Sequence, residues 1–423
     1  MKPTILQGHT RPVKSISFSS DCSKVFSAST DRNIISWNVE KKQKETTYVH
    51  SAAINYFTLS NCGKYLISGD NTATIYIWDI ENVQILSSLE GNPSESVKSI
   101  FLNKTNEVLL IAFAGRGKTS PSRLKCFSFK MLLEEKLDQE KTGKEFDLNI
   151  EKNDGQIKEN YSNQSIYNTK NSKNNLSFKK EKVSEPIKLG INEIKPLCEF
   201  NSLTSKYMKA VYIQKDKYIL VAKENGFIEL LNSVTGEVLI EKEVHKEAIL
   251  DFDVCEKMRL ILTSSMDGYS MLINLDNFEV LNKFHPDNPT RNLNACRIML
   301  IDNPFKEKKI NVDDLFNTMG NDLLEDKYFL LRKHDKLPIA VYSGGQDSKL
   351  VTTTHANEGG FEIVCSELIT GMQLLNLPSH FGPVNVLGCI MGSSMLASGS
   401  EDSTVRLYDI FEYIKALDLD PKY

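Results

Sequence analysis

HFGPVNVLGCIMGSSMLASGSEDSTVRLYD, residues 380–409, is the fullest copy of a unit that recurs along the chain. Its marks are His380, Asp402 22 positions later and Tyr408 six after that. The same offsets join His9, Asp31 and Trp37, and join His245, Asp267 and Ile273, where the third position is aliphatic. A fourth copy has His50 and Trp78, with Thr72 in the place of the acid, and stands 41 residues after the first at every mark. Within the quoted unit, Val384–Ile390, Met395–Ser398 and Thr404–Ile410 read as strands separated by small and acidic turns. Their apolar runs are nearly continuous, which suits strands packed on both faces. A period of about 40 to 45 residues with these features is the signature of four-stranded propeller blades, each too small to bury both of its faces alone.

The His–Asp spacing has a physical reason in such a blade. The Asp sits in the tight turn before the third strand, where its carboxylate can cap backbone N–H groups. The His lies in the connection entering the first strand, and folding brings the two together. A buried partner left unsatisfied costs about 1–3 kcal/mol. A catalytic His with an orienting acid is the competing reading, but a dyad repeated in several blades is scaffolding rather than a single site.

Counting periods gives seven blades in one body over 1–410: near 8–49, 50–90, 91–130, 204–244, 245–284, 285–379, and 380–410 completed by 3–7. The fold class is all-β, a seven-bladed WD-repeat β-propeller. Ile5 and Leu6 precede the first His, and the last blade lacks a strand, so the N-terminal stretch is expected to close the ring. Residues 131–200, rich in Lys, Glu and Asn, are expected to be a disordered insertion, because so few apolar residues cannot offset the ordering entropy. A charged insertion is expected at 302–336 in blade six, and a tail at 411–423. In blade two, Asp70 and Asn71 are close enough to supply the turn chemistry that Thr72 does not.

Composition narrows the function. A net charge of -4 argues against coating nucleic acid or anionic membrane by bulk electrostatics, and no direct sequence-specific nucleic-acid binding is expected. No run approaches the roughly 18 apolar residues of a membrane span, and MKPTILQGHT has no apolar signal core. The eight cysteines are scattered singly, without C-x-x-C or zinc spacing, which points to a reducing compartment; the cytosol or nucleus is left, and a cytoplasmic location is expected. No metal, cofactor or catalytic residue is expected. The string Ala112 to Thr119, AFAGRGKT, is close to a phosphate-cradling loop. It lacks the first Gly and runs into SPS and a further strand instead of a helix, so a hairpin turn is the better reading.

MKPTILQGHTRPV at the start, GGQDSKLVTTTHANEGGFE at 344–362, and HFGPVN followed by GSEDSTVRLY resemble the i subunits of eukaryotic translation initiation factor 3. That family is a WD-repeat propeller, and the sixth-blade string is the more specific part of the likeness. The resemblance implies a non-enzymatic scaffold in a multisubunit factor acting on the small ribosomal subunit, with subunits b and g as partners. Gln346, Asp347, Thr352, Thr353 and Thr354, in a hairpin longer than a blade needs, are the expected contact residues. A hairpin that only packs on its neighbouring blade is the alternative. Other WD-repeat adaptors, serving kinase signalling or RNA assembly, carry the same blade marks and are the alternative reading of the whole chain.

Overall fold

A computed structural model of the chain describes residues 2–117, 121–133, 187–190, 195–202, 205–286, 292–304, 335–346 and 360–416. The chain begins with β1 (Thr4–Leu6) and then builds blade one from β2 (Val13–Phe18), β3 (Lys24–Ser29), β4 (Asn33–Asn38) and β5 (Gln43–Val49). Blade two is β6 (Ile54–Leu59), β7 (Tyr65–Asp70), β8 (Ile75–Asp79) and β9 (Gln84–Glu90). Blade three starts with β10 (Glu95–Leu102), β11 (Val108–Gly115) and β12 (Ser122–Ser128). Two strands follow far along the chain, β13 (Ile187–Gly190) and β14 (Cys198–Ser202).

Blade four is β15 (Tyr207–Ile213), β16 (Tyr218–Lys223), β17 (Phe227–Asn232) and β18 (Val238–Glu243). Blade five is β19 (Ile249–Cys255), β20 (Leu260–Ser265), β21 (Ser270–Asn274) and β22 (Val280–Phe284). Blade six is β23 (Asn292–Asp302), β24 (Lys336–Gly345), β25 (Glu362–Glu367) and β26 (Gln373–Pro378). Blade seven is β27 (Val384–Cys389), β28 (Met395–Ser400) and β29 (Val405–Asp409), and β1 pairs antiparallel with β29 as its fourth strand. The seven sheets are a seven-bladed β-propeller closed by the N-terminal strand.

Each blade's first strand touches the first strand of the next, and the series returns from β27 to β2. Buried apolar residues lie between blades, as in the cluster that joins Val13, Ile16 and Trp37 of blade one to Val386, Val405 and Leu407 of blade seven. The approach there is close: a Cβ on Gly399 would lie 2.6 Å from Val13 Cγ1.

Two expected boundaries change. The tract 131–200 does not end before a blade begins, because Cys198–Ser202 is the outer strand of blade three, pairing antiparallel with β12. Without β14 the edge holding Leu124 and Cys126 would be bare; Phe200 and Cys198 pack into the cluster those residues belong to. Ile187–Gly190 runs parallel to β9 as a fifth strand on blade two. Residues 134–186 and 191–194 of that tract lie outside the described residues. The second change is at the C-terminus. Residues expected to be tail form α1 (Ile410–Lys415), N-capped by Asp409, with Ile410 and Ile414 buried beside Leu375 and Leu377 of blade six. Of the expected insertion at 302–336, residues 305–334 lie outside the described residues; its ends meet across β23 and β24, with Lys336 Nζ 2.6 Å from Asp302 Oδ1.

Candidate functional site

The repeated marks assemble into one directed chain of hydrogen bonds. In blade one, Trp37 Nε1 donates to Ser27 Oγ at 2.8 Å. Ser27 Oγ lies 2.8 Å from His9 Nε2, and His9 Nδ1 lies 2.9 Å from Asp31 Oδ2. With Nδ1–H facing a carboxylate, Nε2 is the acceptor, so the serine hydroxyl donates to it. Asp31 Oδ2 also accepts from Thr10 N at 3.0 Å and Oδ1 from Asn33 N at 2.9 Å, which ties the entering connection to the turn. Burial opposes ionisation of Asp31, but the His9 and Thr10 hydrogen bonds outweigh it and hold the carboxyl at about 2.

Blades five and seven repeat the arrangement. His245 Nδ1 is 2.9 Å from Asp267 and its Nε2 is 2.8 Å from Thr263 Oγ1, a threonine in the serine's place. Ile273 replaces the aromatic there and packs in the core. In blade seven, His380 Nδ1 is 2.9 Å from Asp402, Nε2 is 2.7 Å from Ser398 Oγ, and Tyr408 is buried. Burial pushes the His380 imidazole down against the pull of Asp402. Asp402 is held well below the usual carboxylate range by His380 despite its burial. Arg406 lies under the ring of Phe381, which is 80% exposed on the rim.

Blade two shows what the missing acid does. Trp78 Nε1 donates to Ser68 Oγ at 2.9 Å, and His50 Nε2 is 2.7 Å from the same oxygen. His50 Nδ1 has no hydrogen-bond partner, and burial pushes the imidazole down to about 3. Asp70 stands where Ser29 stands in blade one. Its Oδ1 accepts from the Thr72 N–H at 2.9 Å, the Thr72 hydroxyl at 2.8 Å and the Thr74 N–H at 3.0 Å. Asp70 Oδ2 is buried without a partner, and burial raises this carboxyl.

The first strands carry a second repeated feature that the sequence reading missed. Every one has a bulge near its start, which skips Lys14, Asn55, Lys98, Met208, Leu250, Asn294 and Asn385 in the seven registers. A bulge leaves a ladder carbonyl unpaired. Three of these residues are asparagines that donate to the carbonyl just before the next blade's bulge: Asn55 to Val97, Asn294 to Val384 and Asn385 to Val13, at 3.1, 2.9 and 3.0 Å. At the closing seam Lys14 Nζ also reaches Glu401 Oε1 at 2.6 Å, and Asn385 donates to the same atom at 3.0 Å.

On the opposite side of the ring, Asp251 of blade five lies between Lys209 Nζ of blade four at 2.6 Å and Arg297 of blade six at 2.5 Å. Burial opposes its charge, and the two cations hold it below its ordinary value. Blade four has neither mark of the His–Asp pair. Its second and third strands are pinned by a buried ion pair, Lys223 with Glu229.

The hydroxyls beside the histidines, Ser27, Ser68, Thr263 and Ser398, are fully buried, as structural ties are. The AFAGRGKT string places Ala112 to Gly115 at the end of β11, which pairs antiparallel with β12; Lys118 and Thr119 lie outside the described residues. Among the described residues no group of three His, Cys, Asp or Glu is placed to hold a metal ion, and no helix is long and apolar enough to cross a membrane. Of the expected contact residues, Gln346 follows β24, while Asp347, Thr352, Thr353 and Thr354 lie outside the described residues.

The surface that remains unpaired is apolar in places. The outer strands of adjacent blades four and five expose Val238 and Leu239 on β18 and Val280 and Leu281 on β22, and Val234 in the turn before β18 is 81% exposed. Among the described residues these strands are sheet edges, a form of backbone that takes a further strand or a covering segment.

Comparison with known proteins matches the WD domain, G-beta repeat family at residues 2–38, 41–79 and 371–409. These segments contain β1 to β4, β5 to β8 and β26 to β29. Eukaryotic translation initiation factor 3 subunit I of Schizosaccharomyces pombe is 22% identical over 411 residues, covering 96% of both chains. The protein of the same name from Saccharomyces cerevisiae is 24% identical over 410 residues, 96% of this chain and 92% of its own. That from Eremothecium gossypii is 31% identical over a shorter stretch of 192 residues, 45% of this chain and 44% of its own.

Proposed function

This chain belongs to the WD-repeat propeller family of translation initiation factor 3 i subunits, and from that premise we propose that it is a non-enzymatic scaffold that holds subunits b and g of the factor and supports initiation on the small ribosomal subunit. The observation that carries the reading is a likeness spread over 96% of the chain, on a body whose repeated polar clusters are internal ties. A propeller presents rims and sheet edges, and its function resides in what those bind. The exposed valines and leucines on β18 and β22 offer an apolar wall to a partner segment, laid on as a strand or packed as a helix. Gln346 and the segment bearing Asp347, Thr352, Thr353 and Thr354 are proposed as a second contact, on the lengthened hairpin of blade six. The compartment consistent with this role is the cytoplasm.

Affinity purification of the tagged chain from its own cells, with mass spectrometry and gradient sedimentation, tests the reading. Recovery of initiation-factor subunits, with a fraction moving with the small ribosomal subunit, is the expected result. Stable company with unrelated proteins away from ribosomes would turn the assignment to another WD-repeat adaptor. Val238→Asp with Leu281→Asp should then lower recovery of one subunit, and Gln346→Arg that of another, without changing the melting temperature of the propeller.

A further inference from the structure

We propose that Cys126 and Cys198 form a reversible intrachain disulfide, a modification site that peroxide-class oxidants address through Cys198. The two residues are direct register partners in the antiparallel pair of β12 and β14. Opposed residues in such a pair have Cα atoms about 4.5–5.5 Å apart, within the roughly 4.4–6.8 Å that a disulfide spans. No other two of the eight cysteines are register partners.

The environments of the two thiols differ in the way a reactive and a resolving cysteine require. Cys198 is half-buried on the outermost strand of blade three, whereas Cys126 is buried on the inner side of the pair. Tyr212 of blade four donates its hydroxyl to Cys126 Sγ at 3.1 Å, which fixes that sulfur in place. The flanking side chains Lys125 and Glu199 pair with each other at 3.5 Å. The adjacent Cys126 sulfur lowers the Cys198 thiol, and the same contact, with burial, raises Cys126. The thiolate is therefore favoured on the sulfur that solvent can reach.

The chemistry balances with a hydroperoxide as oxidant. Cys198 thiolate attacks the terminal oxygen; an S–O bond forms, the O–O bond breaks and the leaving oxygen takes a proton. Cys126 sulfur then attacks the sulfenic sulfur; the S–S bond forms, the S–O bond breaks, and the Cys126 proton leaves with the hydroxide as water. A dithiol reverses the step by exchange. The bond would span 71 intervening residues and fasten the outer strand of blade three to the strand beside it.

Mild hydrogen peroxide treatment of the full chain, followed by alkylation and digestion without reductant, reads the outcome. Titratable thiols should fall from eight to six per chain, with a peptide linking Cys126 to Cys198 that dithiothreitol removes. Amide exchange at Glu199–Asn201 should slow at least tenfold in the oxidised form. Cys198→Ser, a change on an exposed edge, should abolish the linked peptide and leave the other thiols unaltered. Cys126→Ser should leave Cys198 trapped as a sulfenic acid that dimedone labels. Peroxide that converts Cys198 directly to sulfinic acid in the wild-type chain, or links other cysteines, or leaves all eight thiols free, would overturn the proposal.

Discussion

The closing seam between blades seven and one and the far side between blades four and six meet the same demand with opposite chemistry. At the seam, hydrogen bonds predominate, with Asn385 on the Val13 carbonyl, β1 laddered onto β29 and a His–Asp pair in each flanking blade, and the full charges of Lys14 and Glu401 stay partly exposed. On the far side full charges are buried, with Asp251 between Lys209 and Arg297, and Lys223 on Glu229 where blade four has no His–Asp pair. A blade needs its turns and neighbours fixed, and more than one polar device does so. The His–Asp chain fixes a turn within a blade. The Asp251 cluster joins three blades and has no equivalent in the repeat.

The largest effect is expected at the seam. Deleting residues 1–7 removes β1 and leaves Val405–Leu407 of β29 without its antiparallel partner, so the ring loses its lock and a sheet edge is exposed. The expected outcome is loss of a single cooperative melt, with oligomers on size-exclusion chromatography. A monomer melting like the full chain would show that the inter-blade apolar packing and the Asn385 and Lys14 contacts close the ring unaided.

Next in size is the far side. Asp251→Ala leaves Lys209 and Arg297 buried without their anion, and breaking a buried pair from one side costs about 3–5 kcal/mol. Urea midpoints at neutral pH measure the loss. Replacing Lys223 and Glu229 together by Met and Leu should cost less than about 1 kcal/mol, because both buried charges leave at once. In blade one, Asp31→Ala orphans His9 Nδ1 and two backbone N–H groups, for about 1–3 kcal/mol. If Asp31→Ala proved harmless and the paired Lys223 and Glu229 replacement severe, the two devices would have exchanged importance.

This contrast also explains which parts were legible in the sequence. His9, Asp31 and Trp37 recur at fixed offsets because one hydrogen-bond chain needs three side chains at three fixed points of one sheet, and periodicity exposes such a need. Blade count and the N-terminal closure followed from it. Lys223 and Glu229 could not be read this way: a Lys and a Glu six apart look like an ordinary solvated pair until the register of β16 and β17 brings them inside. Asn55, Asn294 and Asn385 share a position that is visible only once the bulges are known. The outer strand of blade three was hidden because Cys198–Ser202 lies some 70 residues from β12, at the end of a polar tract, and composition gives no sign that the chain returns.

A small expected gain is the most discriminating, because the change that gives it converts blade two into a copy of blade one. His50 titrates in the folded chain at about 3 against an ordinary 6.5, so the unfolded state binds the extra proton first. Its contribution is fully present above pH 6.5 and is lost as pH falls from there towards 3. Asp70 runs the other way: its carboxyl is raised by burial, so its contribution is largest below its ordinary 3.8 and declines as pH rises through its folded value. Asp31 in blade one, lowered to about 2, holds its contribution down to about pH 4 and loses it only below. The double change Asp70→Ser with Thr72→Asp gives blade two the serine and acid of blade one, supplies His50 Nδ1 with a carboxylate and removes the unpartnered Asp70 oxygen. At pH 7 the gain should be about 1 kcal/mol. Between pH 6.5 and 4.5 the variant should lose less stability than the wild-type chain, since a paired imidazole no longer resists protonation. Parallel pH profiles for the two proteins would mean that the new carboxylate does not change the proton affinity of His50.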